Sequence, residues 1–416
     1  MKSVNESGYP LFTDEMKKDY TILIPSMLDL HMLLFQKVVE REGYKCRVLD
    51  NFDGVAEVGL KYVHNDTCYP ATLVIGQFID ALNKLEDTSK VALIITQTGG
   101  GCRASNYLHL LRKALVKAGY GHVPVISLSA QGFEKSGFRL TFSLISKLAA
   151  AILYGDLLMY LHNKTRSYEV VPGSAKKLVY RLVDEMMKQI ERGQGMSKRA
   201  LAKNFKYIVS EFEKLEVTNE KKVKVGIVGE IYVKYASLGN NNLEEFLVSE
   251  GAEVNVPGLL GFVNYTLYVN LFDKELYGGS RLKTFIYKLV IDFVAKREEI
   301  MIDALKGSIF EGIKSFKKTL NMNEGILTHG VKMGEGFLLA AEMAELIEDG
   351  YSNIVCAQPF GCLPNHICGK GVMKNLKEKY PESNIVAIDY DPSATKVNQE
   401  NRIKLMLAVA RENLNK

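Results

Sequence analysis

The chain has 416 residues, of which 47% are hydrophobic and 24% charged, so it is long and apolar enough for at least two folded domains. Its net charge of +5 is small beside 53 basic and 48 acidic side chains, and no block of lysines and arginines marks a nucleic-acid surface. The polar start MKSVNESGYPLFTDEMKKDY lacks a signal-peptide core, and no later stretch has about eighteen uncharged apolar residues. We therefore expect a cytoplasmic protein without nucleic-acid or membrane partners.

The first part of the chain alternates between apolar strand patterns and amphipathic helix patterns. The predicted strands are YTILIPSM, KCRVLD, KVALIITQT and VPVISLSAQG. The helices predicted between them are LHMLLFQKVVEREG, PATLVIGQFIDALNKLE and ASNYLHLLRKALVKAG. Near-continuous apolar strands that alternate with helices are typical of a parallel sheet covered on both faces. This pattern predicts a first α/β domain over residues 1–136.

Residues 137–218 show helical periodicity only, which predicts a helical segment. Strand patterns return in KKVKVGIVGEIYV, AEVNVPG, SNIVCAQP and NIVAIDYD, which predict a second α/β domain over residues 219–416. A second helical stretch near residues 259–318 interrupts this domain. The expected fold is α/β, with two flavodoxin- or Rossmann-like parallel-sheet domains and helical insertions. The helical stretches carry no readable chemistry and are expected to form interfaces.

Four of the six cysteines fall where predicted strands end or helices begin. Cys68 precedes a helix that Pro70 is suited to start, and Cys102 follows the strand ALIITQT. Cys356 is expected to close the strand SNIV, and Cys362 lies in the next turn, QPFGCLPN. In open α/β sheets, ligands bind outside the carboxyl ends of the strands. We therefore expect these four thiols to face one crevice between the domains.

A triple glycine precedes Cys102 in QTGGGCRASNY. Glycines let the backbone approach a bulky inorganic group, and their N–H groups then stabilise thiolates and a negatively charged cluster. This predicts Gly100, Gly101 and Arg103 as cofactor-binding residues. A phosphate loop is the alternative, although the segment lacks the lysine and the glycine spacing of the known phosphate-binding motifs.

The other two cysteines are less easily placed. Cys368 follows Cys362 by six positions and can reach the same crevice, near the start of the predicted helix HICGKGVMKNLKEKY. Cys46 lies near the start of the strand KCRVLD, at the opposite edge of the sheet, which indicates a buried thiol. A zinc site is a further alternative, but the chain has no CxxC pair and His366 is not spaced from Cys362 as in a zinc finger.

The segments NDTCYPA, QTGGGCRASNY, VGIVGE, QPFGCLPNH and AIDYDPSATKVNQENR resemble the iron–sulfur component of the 2-hydroxyacyl-CoA dehydratase superfamily, within it the branch of double-cubane cluster proteins. The resemblance covers most of the chain. It implies a cluster of two four-iron cubanes bridged by one sulfide (8Fe–9S), with a single 4Fe–4S cubane as the smaller alternative. Cys68, Cys102, Cys356 and Cys362 match its motif positions. Bridged cubanes require three thiolates each, which adds Cys46 and Cys368 to the predicted ligands.

The resemblance also implies an ATP-dependent partner reductase with its own 4Fe–4S cluster and, by analogy, a homodimer. No Walker motif is visible in the chain, so ATP hydrolysis is expected on the partner. The expected activity is the reduction of a small-molecule substrate with low-potential electrons. Two alternatives remain: a subunit of a 2-hydroxyacyl-CoA dehydratase, and an electron carrier without catalytic activity.

Several polar residues neighbour the predicted ligands in sequence. Glu230 ends the strand VGIVGE and is a candidate proton donor, or else the partner of a lysine. His366 and Lys370 are the other candidate catalytic residues. His64, Arg103 and Asn106 are candidates for contacts around the cluster, although polar residues at strand ends often only cap helices.

Overall fold

The computed structural model of the protein describes residues 4–97, 101–129 and 136–414, and it contains two four-stranded parallel sheets. The strands of the first sheet are β1 (Thr21–Ile24), β2 (Lys45–Val48), β3 (Val91–Gln97) and β4 (Val125–Ser129), in the order β2-β1-β3-β4. The strands of the second are β5 (Lys224–Gly229), β6 (Glu253–Asn255), β7 (Asn353–Pro359) and β8 (Asn384–Tyr390), in the order β6-β5-β7-β8. Each sheet thus begins in the 2-1-3-4 order of flavodoxin-like folds, which confirms the predicted α/β class.

The helices of the first half are α1 (Asp29–Arg41), α2 (Val55–Tyr62), α3 (Tyr69–Asn83) and α4 (Tyr107–Lys117). The helix α3 begins where the sequence predicted, with Cys68 as its N-cap residue and Pro70 in its first turn. Nearly all of α3 is buried, because its apolar residues pack against both halves of the molecule.

Between the two sheets, the chain forms the three helices α5 (Phe142–Thr165), α6 (Ser174–Glu191) and α7 (Lys198–Phe212). Within the described residues, α5 alone is long and apolar enough to cross a membrane, but 67% of its most apolar window is buried inside the protein. A helix in the core of a protein is buried to this extent, so we describe α5 as a core helix. Asp156 on α5 contacts His31 on α1, with 2.7 Å between Oδ1 and Nε2, and accepts the Leu259 and Leu260 N–H groups of the second half.

The helices of the second half are α8 (Ile231–Tyr235), α9 (Ser237–Asn240), α10 (Leu243–Ser249), α11 (Leu259–Tyr277), α12 (Arg281–Leu305), α13 (Phe316–Met322), α14 (Leu338–Glu348), α15 (Leu363–Cys368), α16 (Met373–Lys379) and α17 (Lys396–Leu414). The prediction of one helix over HICGKGVMKNLKEKY is wrong. The helix α15 ends at Cys368, and a short 3-10 turn (Lys370–Val372) separates it from α16. Gly369 allows this break, since a methyl group there would lie 2.7 Å from the Asn365 carbonyl oxygen.

A single hydrophobic core joins the two halves. Leu93 and Ile95 on β3 belong to the same buried cluster as Val225 and Ile227 on β5, and Phe78 on α3 lies in that cluster too. The predicted domain limits at residues 136 and 218 therefore remain predictions. The shared core holds the carboxyl ends of the two sheets in a fixed relation, and this fixes the geometry of the site described next.

Candidate functional site

Two of the predicted thiols, Cys68 and Cys362, lie within electrostatic reach of one carboxyl group, that of Glu230. Burial, and then the charge of Glu230, raise the pKa of both thiols, and the charge of Cys102 also acts on Cys68. Cys102 and the start of α15 face each other across Gly334, because a methyl group on Gly334 would lie 4.0 Å from the Cys102 Sγ and 2.9 Å from the Pro364 Cγ. The three thiols come from the loops before α3, after β3 and after β7, so both sheets contribute.

Each of these three sulfurs has a hydrogen-bond donor within reach. The Tyr107 hydroxyl lies 3.1 Å from the Cys68 Sγ. The Ala104 N–H donates to the Cys102 Sγ over 3.5 Å, and the Asn365 amide Nδ2 donates to the Cys362 Sγ over 3.4 Å. Hydrogen bonds of this kind stabilise the negatively charged form of a sulfur and tune the potential of a bound cluster. The surroundings of the three thiols therefore suit thiolate ligands.

Without a cation, however, the buried thiols keep their protons. Burial, together with the charge of Glu230, raises the pKa of Cys68 to about 12 and raises that of Cys362 well above the usual range. A bound metal centre reverses this preference, because a coordinating thiol is deprotonated outright. The site thus has the hydrogen-bond donors that thiolates need.

A second carboxyl group, which the sequence did not predict, lies beside the first. Glu335 accepts the Ile231 N–H at 3.0 Å and the Asn365 side-chain amide at 3.5 Å. Burial raises its pKa, and burial together with the charge of Glu335 raises the pKa of Glu230 to about 8. Glu230 caps α8 by accepting the Val233 N–H at 2.9 Å.

The alternative role of Glu230 as the partner of a lysine is not what the structure shows. Among the described residues, the nearby Lys234 forms its ion pair with Glu342, at 3.0 Å between Nζ and Oε1. Glu335 belongs to the segment MGEG, and this short glycine-flanked acidic segment is the one sequence signal that could have found it.

Cys356 and Cys368 are buried together in the core of the second half, and Cys368 lies within electrostatic reach of Glu335. The prediction that Cys356 closes its strand is wrong, because β7 continues to pair with β8 as far as Pro359 and leaves Cys356 in mid-strand. Burial raises the pKa of Cys356 to about 12 and that of Cys368 to about 11. A methyl group on Gly369, the residue after α15, would lie 2.9 Å from the Cys356 Sγ. Cys356 therefore packs against the end of α15. The role of Cys356 and Cys368 as ligands remains a prediction.

Cys46 lies in a different buried cluster from Cys356 and Cys368. It is on β2, beside Ile22 of β1, which confirms the predicted strand. Its Sγ donates to the Gln36 carbonyl oxygen over 3.5 Å, as a protonated thiol does, and burial raises its pKa to about 12. The cysteine count placed it among the ligands, whereas the structure gives it the surroundings of a buried thiol.

The polar residues predicted near the thiols differ in their contacts. The His366 Nδ1 donates to the Cys362 carbonyl oxygen at 2.9 Å, and its Nε2 lies 3.7 Å from Asp389. Arg103 donates to the Asp66 carbonyl oxygen at 2.9 Å, which ties the loop of Cys102 to the loop of Cys68. His64, Asn106 and Lys370 are exposed.

The predicted glycines are only partly described. Gly101 approaches Met333 closely, since a methyl group on Gly101 would lie 2.5 Å from the Met333 sulfur. Gly100 lies outside the described residues. The position of Gly101 therefore requires a residue without a side chain, as the sequence predicted. The group that it approaches is Met333, whereas the sequence predicted an inorganic cluster.

A search of the described residues finds no group of three or more His, Cys, Asp or Glu side chains that could hold a metal ion. A cubane is a larger object than one ion, and each of its thiolates binds a different iron, so its ligands stand farther apart. Comparison with known proteins gives no match, either to a family model or to a curated protein. The geometry of the three thiols is therefore the basis of the functional proposal.

Proposed function

We propose that the chain is an iron–sulfur reductase component that takes low-potential electrons from an ATP-hydrolysing iron–sulfur partner and passes them to a small molecule. One observation carries the proposal. Cys68, Cys102 and Cys362 come from three separate loops, and each sulfur has a hydrogen-bond donor within 3.5 Å. Hydrogen bonds to a sulfur stabilise its thiolate form, which is the form that binds iron.

The residues present fit an iron–sulfur cluster by the chemistry of their donor atoms. A bound cluster of this kind supplies one-electron transfer at low potential. Three thiolates suit a single cubane with one iron left without a protein ligand. The bridged 8Fe–9S form needs three more thiolates, whereas Cys46 lies in a separate buried cluster and its sulfur donates to the Gln36 carbonyl oxygen. The geometry therefore favours the smaller cluster, held by Cys68, Cys102 and Cys362.

Glu230 and Glu335 supply the protons that reduction of a small molecule consumes. Burial and the charge of Glu335 raise the pKa of Glu230, which favours its protonated form beside the thiols. A carboxyl group with a raised pKa in such a place can act as a general acid. Glu335, whose pKa burial also raises, is placed to pass on or replace that proton.

Large apolar side chains are exposed around the Cys362 turn, which supports docking of an electron-donating partner there. Phe360, Leu363 and Ile367 are each more than half exposed and flank this cysteine on both sides in sequence, and Met333 is exposed beside Gly101. Contiguous apolar side chains on a surface are typical of protein–protein contacts. A partner seated on them would bring its own cluster close to the three thiols.

The test is turnover by the protein prepared without oxygen, reduced by a low-potential chemical reductant and supplied with azide or acetylene. We expect product formation that continues over many cycles and falls at least tenfold in Glu230→Gln, while Cys46→Ser behaves as the wild type. Cluster oxidation and reduction without product would instead make the chain an electron carrier. Tight binding of an acyl-CoA thioester would favour a dehydratase subunit, and an iron-free protein would contradict the proposal.

A further inference from the structure

A cleft of about 240 Å³ lies at the amino ends of β5 and β6. Lys224 begins β5, and Glu230 directly follows its end, so the six-residue strand sets the cleft roughly 20 Å from Glu230. Neither the predicted site residues nor the proposed function involves this edge of the second sheet. The cleft is therefore a candidate for a second site, separate from the thiols.

The polar end of the cleft is built around the buried carboxylate of Glu253, the first residue of β6. Its Oε1 accepts a hydrogen bond from the Lys164 Nζ at 3.1 Å, and its Oε2 accepts one from the Tyr168 hydroxyl at 2.5 Å. The Tyr351 hydroxyl also donates to Oε1. Burial by itself raises the pKa of Glu253, but Lys164 and the two hydroxyl groups together hold it below its usual value. The carboxylate is therefore charged, and each of its oxygens has a partner.

Lys224 lies beside this carboxylate without an acidic partner of its own. It is paired in register with Glu253 in the ladder of β5 and β6, and paired residues point to the same face of a sheet. Glu253 nevertheless pairs with Lys164, and Lys224 forms no ion pair with any other described residue. Its ammonium group lies 5.6 Å from the centre of the Tyr351 ring. Among the described residues that line the cleft, two are lysines and one is a carboxylate, so its polar end has one positive charge in excess.

The remaining wall of the cleft is apolar. Phe212, at the end of α7, and Phe310 are both buried, and their rings meet edge to face with 6.4 Å between the centroids. Leu215, Val217 and Ile309 complete the wall. Ile309 is 73% exposed, so the cleft is open to solvent on that side. An apolar wall beside one excess cation is complementary to an anion that carries a short apolar tail.

We propose that this cleft binds a small monocarboxylate, whose carboxylate pairs with Lys224 and whose apolar tail packs against Phe212 and Phe310. A cavity of about 150 Å³ holds benzene, so a cleft of about 240 Å³ suits a molecule of on the order of ten non-hydrogen atoms. An inorganic anion would leave the apolar wall in contact with water. An uncharged molecule would cover the half-buried ammonium group of Lys224 without giving it a partner, which costs free energy.

The first test is calorimetric titration of the full chain with hexanoate, a straight-chain carboxylate within this size limit. We expect one saturable site per chain, with a Kd on the order of 0.1–1 mM. Lys224→Met keeps the length of the side chain and removes its charge, so it should weaken binding by about tenfold or more, with an unchanged circular dichroism spectrum. Lys222→Met is the matched control, because Lys222 is the neighbouring lysine and pairs with Glu220 at 3.0 Å. It should bind hexanoate as the wild type does.

The second test varies the ligand and needs no substitution in the protein. Hexanol lacks the charge and acetate lacks the tail, so each should bind the wild type about tenfold more weakly than hexanoate, or not at all. Equal affinity for hexanol or acetate would overturn the proposal, as would tighter binding of inorganic phosphate. The absence of saturable hexanoate binding, or an equal loss in Lys222→Met and Lys224→Met, would also overturn it. The iron content of the protein enters none of these measurements, so their outcome is independent of the proposed function.

Discussion

Cys68 and Cys46 are two thiols whose sulfurs have different polar neighbours. Burial raises the pKa of each to about 12. The Cys68 sulfur lies 3.1 Å from a hydroxyl group that can donate to it, and the Cys46 sulfur itself donates to a carbonyl oxygen. A donor favours the thiolate and an acceptor favours the thiol. The polarity of the neighbouring atom, rather than burial or pKa, therefore distinguishes a candidate ligand from a packing residue.

Replacing a thiol at the site should reduce iron binding and should have the largest effect of the substitutions considered. We expect Cys102→Ser to lose at least 90% of the iron bound by the wild type after anaerobic reconstitution, since a cubane with two protein thiolates is poorly held. Iron and acid-labile sulfide per chain are the quantities to measure. Cys68→Ser and Cys362→Ser should behave alike, and full retention of iron in all three would contradict the assignment.

Glu230→Gln should change how stability depends on pH. The native carboxyl has a pKa of about 8, against 4.5 for an ordinary glutamate, so between these values the folded state binds more protons than the unfolded state. Wild-type stability therefore falls as the pH rises through this window. In the iron-free variant, the loss of unfolding free energy from about pH 5 to about pH 9 should be smaller, by on the order of a few kcal/mol.

Denaturant unfolding at several pH values measures this difference. Glu412→Gln is the control, because Glu412 is exposed near the end of α17. Equal pH slopes for the wild type and Glu230→Gln would show that the carboxyl is not held in its protonated form.

Tyr107→Phe should retain the cluster but alter its potential. The variant removes the hydroxyl beside the Cys68 sulfur and leaves the ring in place. A hydrogen bond to a charged sulfur stabilises the reduced state more than the oxidised one, so its loss should lower the potential by on the order of 60 mV, the one-electron equivalent of about 1.4 kcal/mol. Redox titration followed by electron paramagnetic resonance measures the shift. Tyr120→Phe, which removes a hydroxyl bonded to Asn83, should leave the potential unchanged.

Cys46→Ala should have the smallest effect. The substitution removes one buried sulfur from the core and should lower the unfolding free energy by about 1 kcal/mol. Its iron content should equal that of the wild type. Loss of half the iron in this variant would support the 8Fe–9S cluster and overturn the contrast between Cys46 and Cys68.

The sequence predicts Cys68, Cys102 and Cys362 as site residues because general rules apply to their positions. Cys102 and Cys362 follow strands, at the edge of a parallel sheet where ligands bind, and Pro70 marks the helix that Cys68 caps. The same reasoning gave the two parallel sheets, since apolar strands alternated with helices in both halves.

Other features of the site depend on contacts between distant segments. Cys356 lies in the core because β7 pairs with β8 for three residues beyond it. Local sequence does not determine where this pairing ends. Glu335 reaches the site from the loop before α14, more than a hundred residues after Glu230. Counting cysteines added Cys46 to the predicted ligands, although the strand pattern KCRVLD indicated a buried thiol, and β2 confirms that strand.

The most direct test of the account is the number of iron and sulfide ions per chain in wild-type protein purified without oxygen. Three thiolates, those of Cys68, Cys102 and Cys362, predict about four irons and about four sulfides, with the brown colour of a cubane. A colourless, iron-free protein that also fails to take up iron and sulfide on reconstitution would contradict the account.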